Sequence, residues 1–199
     1  MVRSDSSTIS YSIDALRGQD RDAFAELVED TSGQIYHLLL RMLVNEQDAE
    51  DALQETYIKA FQALPNFEGR SSLKTWLYRI AANEALMVLR KRKPQPQTVE
   101  IDKDDEEIEE PREIVDWCCL PERELLDQET RSKLTAAAQK LSDNLKMVFL
   151  LRDVEGLSGE ETAAVLGLSI DVVKTRLLRA RLKLREELSA YFAEKMKNG

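Results

Sequence analysis

The sequence predicts an all-α protein built of two small helical domains joined by an acidic flexible linker, and three observations carry that prediction. Apolar residues recur at helical spacing with no alternating strand pattern. Only seven glycines and five prolines interrupt 199 residues. Charge is segregated into blocks: residues 94–127 hold thirteen acids against Lys103, Arg112 and Arg123, whereas residues 66–93 hold seven cationic side chains against Glu68 and Glu84. The acidic block opens on Pro94-Gln95-Pro96 and has little apolar content before Ile114, which is the composition of a tether. The expected units are therefore residues 10–93 and 122–197, with the linker over 94–121.

In the first unit, Asp22 to about Val44 forms a long helix whose core candidates are Phe24, Leu27, Val28, Ile35, Leu38, Leu39 and Met42. His37 among them is a packing or surface residue. The next helix, about Gln47 to Ala63, packs through Leu53, Tyr57, Ala60, Phe61 and Leu64, and Pro65 stops it. Its other side carries Asp48, Asp51, Gln54, Glu55 and Ile58. An acidic helix face is usually only solvated, but an isoleucine beside the acids points to a docking surface.

After the loop Asn66 to Ser71, Ser72 can cap a further helix reaching Arg92, with Leu73, Leu77, Ile80, Ala81 and Val88 on its buried side. At about 100° per residue, Arg79, Asn83 and Arg90 fall within about 60° of Trp76. An indole, an amide and guanidinium groups on one stripe can stack bases and hold phosphates, the chemistry of single-strand binding. The competing reading makes Trp76 and Tyr78 half-buried packing residues.

The second unit contains GLSGEETAAVLGLSIDVVKTRLLRARLKLR, residues 156–185, which reads as two short helices around a Gly167-Leu168-Ser169 turn. This is a helix-turn-helix pattern. Ala163 permits a close helix crossing, Gly167 suits a left-handed corner and Ser169 suits a cap. On the second helix Val173, Leu177, Ala180 and Leu184 form an apolar stripe. Asp171, Thr175, Leu178, Arg179 and Leu182 point the other way. Residues 174–185 carry six cationic side chains and no acid, which suits the phosphates of a major groove.

Composition narrows the function classes. No apolar run approaches the ~20 residues that span a bilayer, and MVRSDSSTISYS lacks the apolar core of a signal peptide, so a cytoplasmic protein without membrane insertion is expected. Adjacent Cys118 and Cys119 with a single histidine supply no metal set. Neither a nucleophile–base set nor a glycine-rich phosphate loop is present, so no enzyme activity and no cofactor are expected. The net charge of −9 does not exclude nucleic acid, because local fields decide what binds where.

Two blocks in this order resemble the extracytoplasmic-function (ECF) group of bacterial RNA polymerase sigma factors. DAEDALQETYIKAFQALPNFEGRSSLKTWLYRIAANEALMVLRKRK is similar to that group's region two, and LSDNLKMVFLLRDVEGLSGEETAAVLGLSIDVVKTRLLRARLKLREEL to its region four. The resemblance implies that Asp48, Asp51, Gln54, Glu55 and Ile58 dock on the coiled-coil of the largest subunit of core RNA polymerase, with further contact at its flap. It implies that Phe67, Arg70, Ser71, Lys74, Trp76, Arg79 and Asn83 unpair the minus-ten element and capture a flipped base, and that Lys174, Thr175, Arg176, Leu178, Arg179 and Arg181 engage the minus-thirty-five element. Arg179 would pair with guanine, Leu178 would meet a thymine methyl, and Arg176 and Arg181 would grip phosphate. The linker resembles the segment that threads the polymerase's active-site path, where it would either mimic nascent RNA or serve only as a tether. An anti-sigma factor is a further implied partner. Met87, Asp171 and Val172 depart from the group's usual residues, and Trp117 has no derivable role.

Two alternatives stand beside this. A conventional helix-turn-helix regulator would bind duplex operators without polymerase, and an interaction adaptor would use the acidic helix and linker on a basic partner without specific DNA affinity.

Overall fold

The computed structural model describes residues 12–92 and 128–198, with side chains over 12–92 and 133–189. The acidic linker over 94–121, with Trp117, Cys118 and Cys119, lies outside the described residues, as does the start of the second unit.

The four helices of the first unit each begin where the local sequence supplies an acceptor for their free N–H groups. Helix α1 is Ile13–Arg17, where Ser12 Oγ accepts from the Asp14 N–H at 3.2 Å. Helix α2 is Arg21–Leu43, and Asp20 accepts from both Asp22 and Ala23 at 3.0 Å. Helix α3, Glu46–Ala63, starts on Asn45, whose side chain accepts from Asp48 N at 2.9 Å. A single 3₁₀ turn, Leu64–Asn66, follows it around Pro65. Helix α4, Leu73–Arg92, starts on Ser72, whose Oγ accepts from Thr75 N at 3.0 Å. In the second unit, α5 is Gln128–Gln139, and α6 is Asp143–Phe149 running into a π turn at Leu150–Val154. Helices α7, Gly159–Leu166, and α8, Ile170–Asn198, complete it. No strand occurs among the described residues.

In the first unit α2, α3 and α4 pack on one another. Leu27, Ile35, Leu38, Leu39 and Met42 of α2 are buried, with Phe24 and Val28 partly so. His37 is exposed. Helix α4 is where the sequence-level picture is too simple. The expected side is covered, but α4 buries a second face, about 120° around the axis, through Thr75, Tyr78, Ala82 and Ala85. This second face meets α6 and α7. The two units consequently share one continuous apolar cluster, from Leu16 and Leu27 through Tyr78 and Ala82 to Leu145, Met147 and Leu151. A smaller cluster of Val148, Ala163, Val173 and Leu177 holds the helix-turn-helix together.

Two backbone positions in α2 test this account. Val44 ends the helix in the left-handed region at φ 59°, a conformation costly for a β-branched side chain. Gly33 sits inside the helix, where an added Cβ would meet nothing within 4 Å. Val44→Asn and Gly33→Ala should each raise stability by about 0.5–1 kcal/mol, measured by urea denaturation. Loss of stability in Gly33→Ala would show that the space beside α2 is filled.

Candidate nucleic-acid interface

The cationic stripe lies on the third side of α4, away from both buried faces. Arg79 and Asn83 are exposed, Trp76 is half-buried, and Ser71 is half-buried at the loop; Lys74 is exposed but lies off this stripe, beside Tyr78 on the side that faces the second unit. Arg70 is exposed and ion-paired with Glu68. Phe67 departs from the reading as a DNA contact: it is only 6% exposed, and its ring stands 5.1 Å from that of Trp76 at 53°. Its carbonyl accepts from Arg17 Nε at 2.9 Å. Phe67 is thus a buttress that fixes the indole, held from below by α1. The 3₁₀ turn causes this, because it folds the loop back so that the phenyl ring points inward. Tyr78 is also a packing residue, 1% exposed, with Lys74 Nζ 5.8 Å from its ring.

On α3, Asp51 and Gln54 are exposed, Glu55 is half-buried and Ile58 is 52% exposed, so an isolated apolar side chain projects among acids. Asp51 accepts from Gln47 Nε2 at 3.1 Å. Asp48 is ion-paired with Arg92, which also donates to the Leu43 carbonyl at 2.9 Å. Lys59 joins this face to α4, lying 3.3 Å from Glu55 and 2.7 Å from the buried Glu84. The hydrogen bond to Glu84 raises the Lys59 pKa above its ordinary value. A carboxylate as buried as Glu84 needs such a partner.

In the second unit, Ser158 and Glu161 form a reciprocal capping box at α7, with Ser158 Oγ accepting at 3.1 Å and Glu161 Oε2 accepting at 2.8 Å. The Ser158 N–H holds the Glu161 carboxyl below its usual range. Gly167 turns the corner at φ 66°, and Ser169 Oγ accepts from Val172 N at 3.3 Å. The stripe Val173, Leu177, Ala180 and Leu184 is buried as expected.

The outward face of α8 is less open than its periodicity suggests. Lys174 and Thr175 are exposed, while Arg176, Leu178 and Arg181 are half-buried. Arg181 is gripped by Asp153 at 2.7 and 3.0 Å. Arg179, expected to reach a guanine, is 7% exposed. Helix α8 is contacted by α5, α6 and α7, so its covered surface is wider than one stripe. In this arrangement Arg179 cannot reach a base edge.

Sequence reasoning missed the polar contacts between the units. Glu155 accepts from Arg41 Nη1 at 2.9 Å and from the Tyr78 hydroxyl at 2.8 Å. Gln139 Nε2 donates to the Arg41 carbonyl at 3.1 Å. Lys146, buried, donates to the Met42 carbonyl at 3.0 Å and to Gln139 Oε1. Burial pulls the Lys146 pKa down to about 8, with Asp143 opposing. Burial, then the bond to Glu155, raises that of Tyr78. No periodicity marks these residues.

No described helix is long and apolar enough to cross a membrane, and no group of three or more His, Cys, Asp or Glu among the described residues could hold a metal. The family model for Sigma-70 region 2 matches residues 27–95, and that for Sigma-70 region 4 matches residues 131–184. The chain is 34% identical over 182 residues to the RNA polymerase sigma-H factor of Pseudomonas aeruginosa, covering 92% of this chain and 94% of that protein. It is 33% identical over 180 residues to the ECF RNA polymerase sigma factor SigW of Bacillus subtilis, covering 90% and 96% respectively. Among solved structures, the sigma factor RpoE of Bartonella quintana, crystallised with the anti-sigma factor NepR, is similar with a TM-score of 0.61 and 28% identity. That match covers 83% of this chain and 96% of that one.

Lys146 generates a pH prediction. Its folded pKa of about 8 lies below the ordinary 10.5, so the folded chain releases this proton first and gains relative stability as pH rises from 8 toward 10.5. Lys146→Met should lack that component, visible as a smaller gain in urea midpoint between pH 7.5 and 9.5. Parallel profiles would contradict the assignment.

Proposed function

The chain belongs to the sigma-70 family, within its ECF group, and on that premise we propose how its surfaces divide the work of transcription initiation. As an ECF sigma factor it binds core RNA polymerase, directs it to promoters and promotes opening of the duplex. The chemistry of RNA synthesis belongs to the polymerase, in the cytoplasm, and this chain contributes recognition without a catalytic group of its own. An anti-sigma factor is a partner of the kind found on the Bartonella relative.

The observation that carries the residue assignments is the division of α3 and α4 into separately charged surfaces on one rigid unit. Asp51, Gln54, Glu55 and Ile58 form the polymerase-docking face, with Asp48 at its edge beside Arg92. Ile58 supplies the desolvated contact and the acids its electrostatic complement. Arg70, Ser71, Lys74, Trp76, Arg79 and Asn83 engage the minus-ten strand, with Phe67 supporting the indole. A flipped base costs a few kcal/mol of lost stacking, which an aromatic platform and phosphate contacts offset. Lys174, Thr175, Arg176, Leu178 and Arg181 serve the minus-thirty-five element, whereas Arg179, 7% exposed, is packed within its own unit.

Asp51→Arg combined with Glu55→Arg should abolish co-purification with core polymerase while leaving the helical circular dichroism unchanged; retained co-purification would refute the docking face. Trp76→Ala should lower promoter opening about tenfold, within the ~1–3 kcal/mol attributed to one stacked base. Polymerase recruitment should be retained. Permanganate reactivity of thymines in the minus-ten region measures the opening, and reactivity equal to the parent would remove Trp76 from the role.

A further inference from the structure

The loop between α3 and α4 makes few bonds of its own. The 3₁₀ turn around Pro65 closes with Phe67 N donating to the Leu64 carbonyl at 3.0 Å, and the next backbone bond, Trp76 N to the Ser72 carbonyl, already belongs to α4. Gly69 lies in the left-handed region at φ 73°, and the exposed side chains of Glu68 and Arg70 pair with each other. Among the described residues, the hydrogen bond that reaches residues 67–71 from another helix comes from Arg17 of α1, whose Nε donates to the Phe67 carbonyl at 2.9 Å.

The Arg17 guanidinium lies against the turn: a Cβ added to Gly69 would stand 3.8 Å from Nη2. Asp14, one helical turn earlier, is 3.5 Å from Nη1. Helix α1 is itself well anchored. Leu16 is 1% exposed, α1 packs on the 3₁₀ turn, and Gln19, just past the helix, donates from Nε2 to the Phe61 carbonyl at 3.2 Å. The five residues of α1 thus bridge the last turn of α3 and the loop that follows it. What α1 holds passes into the cationic stripe through Phe67, because the ring attached to the bonded backbone stands 5.1 Å from that of Trp76. A bond from a charged donor is stronger than a neutral one, and a loop already held in its bound shape loses less freedom when a ligand arrives.

We propose that Arg17 is a positioning residue for base capture: its Nε–H, through the Phe67 carbonyl, sets the loop and the Trp76 platform without itself touching DNA. This role rests on the minus-ten reading of Trp76. It is specific to one atom. Arg17→Gln keeps an N–H donor on the atom that follows Cδ, in the place of Nε, and discards the charge. Arg17→Met puts a methyl group at the same place and removes the donor.

A Trp117→Phe background leaves Trp76 as the one tryptophan, so its emission in the free chain reports the platform directly. Function is read as the affinity of holoenzyme for the single strand that the parent holoenzyme enriches from a random pool of about 12 nucleotides. Circular dichroism checks that the helices remain. Arg17→Met is expected to move the emission to longer wavelength and to weaken strand binding about fivefold, the scale of one hydrogen bond. Arg17→Gln should keep the parent emission and bind within about twofold of the parent, since it retains the donor. The dependence of affinity on salt should be the same in all three; a slope lower by about 0.7 in both variants would make Arg17 a phosphate contact and overturn the positioning role. Parent-like behaviour of Arg17→Met, or equal losses in both variants, would overturn it as well. A shifted emission without weaker binding would overturn the link to capture. Should the parent holoenzyme enrich no strand, the minus-ten reading fails, whereas the emission of the free chain tests the hold of Arg17 on the platform independently.

Discussion

The fold depends on α4 being buried on two sides at once. Leu77 and Ala81 face α2 and α3, while Tyr78, Ala82 and Ala85 face the second unit, and all five are at most 1% exposed. Alanines at both contacts let neighbouring backbones approach closely, and the remaining third of the helix is left to polar and cationic residues. A helix so placed cannot rotate: a turn of one residue would bury Arg79 or expose Tyr78. The position of the DNA-facing stripe is fixed by apolar packing rather than by any polar contact of its own.

Packing this dense places polar groups out of water, and each creates an obligation. Glu84 requires Lys59, and Lys146 requires the Met42 carbonyl. The Tyr78 hydroxyl, held 1% exposed by its ring, requires an acceptor that only the second unit provides. An unsatisfied hydroxyl or charge in such surroundings costs about 1–3 kcal/mol or more. The interface between the units is therefore specified by its polar atoms while its area is apolar.

The two charged surfaces are kept apart by the same geometry. Lys59 lies between them, bonded to Glu55 on the acidic side and to Glu84 at the base of α4. Ile58 remains exposed because it lies on the side of α3 opposite the buried Ala49, Ala52, Thr56 and Ala60. An exposed isoleucine ringed by acids is consistent with a partner surface that is itself partly apolar and basic.

The sequence by itself determined what is local: the long helices of the first unit and the helix-turn-helix, the caps at Ser72 and Ser169, the stop at Pro65, the turn at Gly167, and the stripe from Val173 to Leu184. Each follows from interactions within about four residues, which periodicity and capping chemistry express directly. Only the tertiary structure decided that α4 has a second buried face, that Phe67 turns inward beneath Trp76, that Arg179 is covered, and that Glu155 meets Arg41 and Tyr78 across 114 and 77 positions of chain. Those outcomes come from which surfaces meet at long range. A lone Glu155, Tyr78 or Arg41 carries no pattern that names its partner, because the energy of such a contact arises when packing removes water from both sides together.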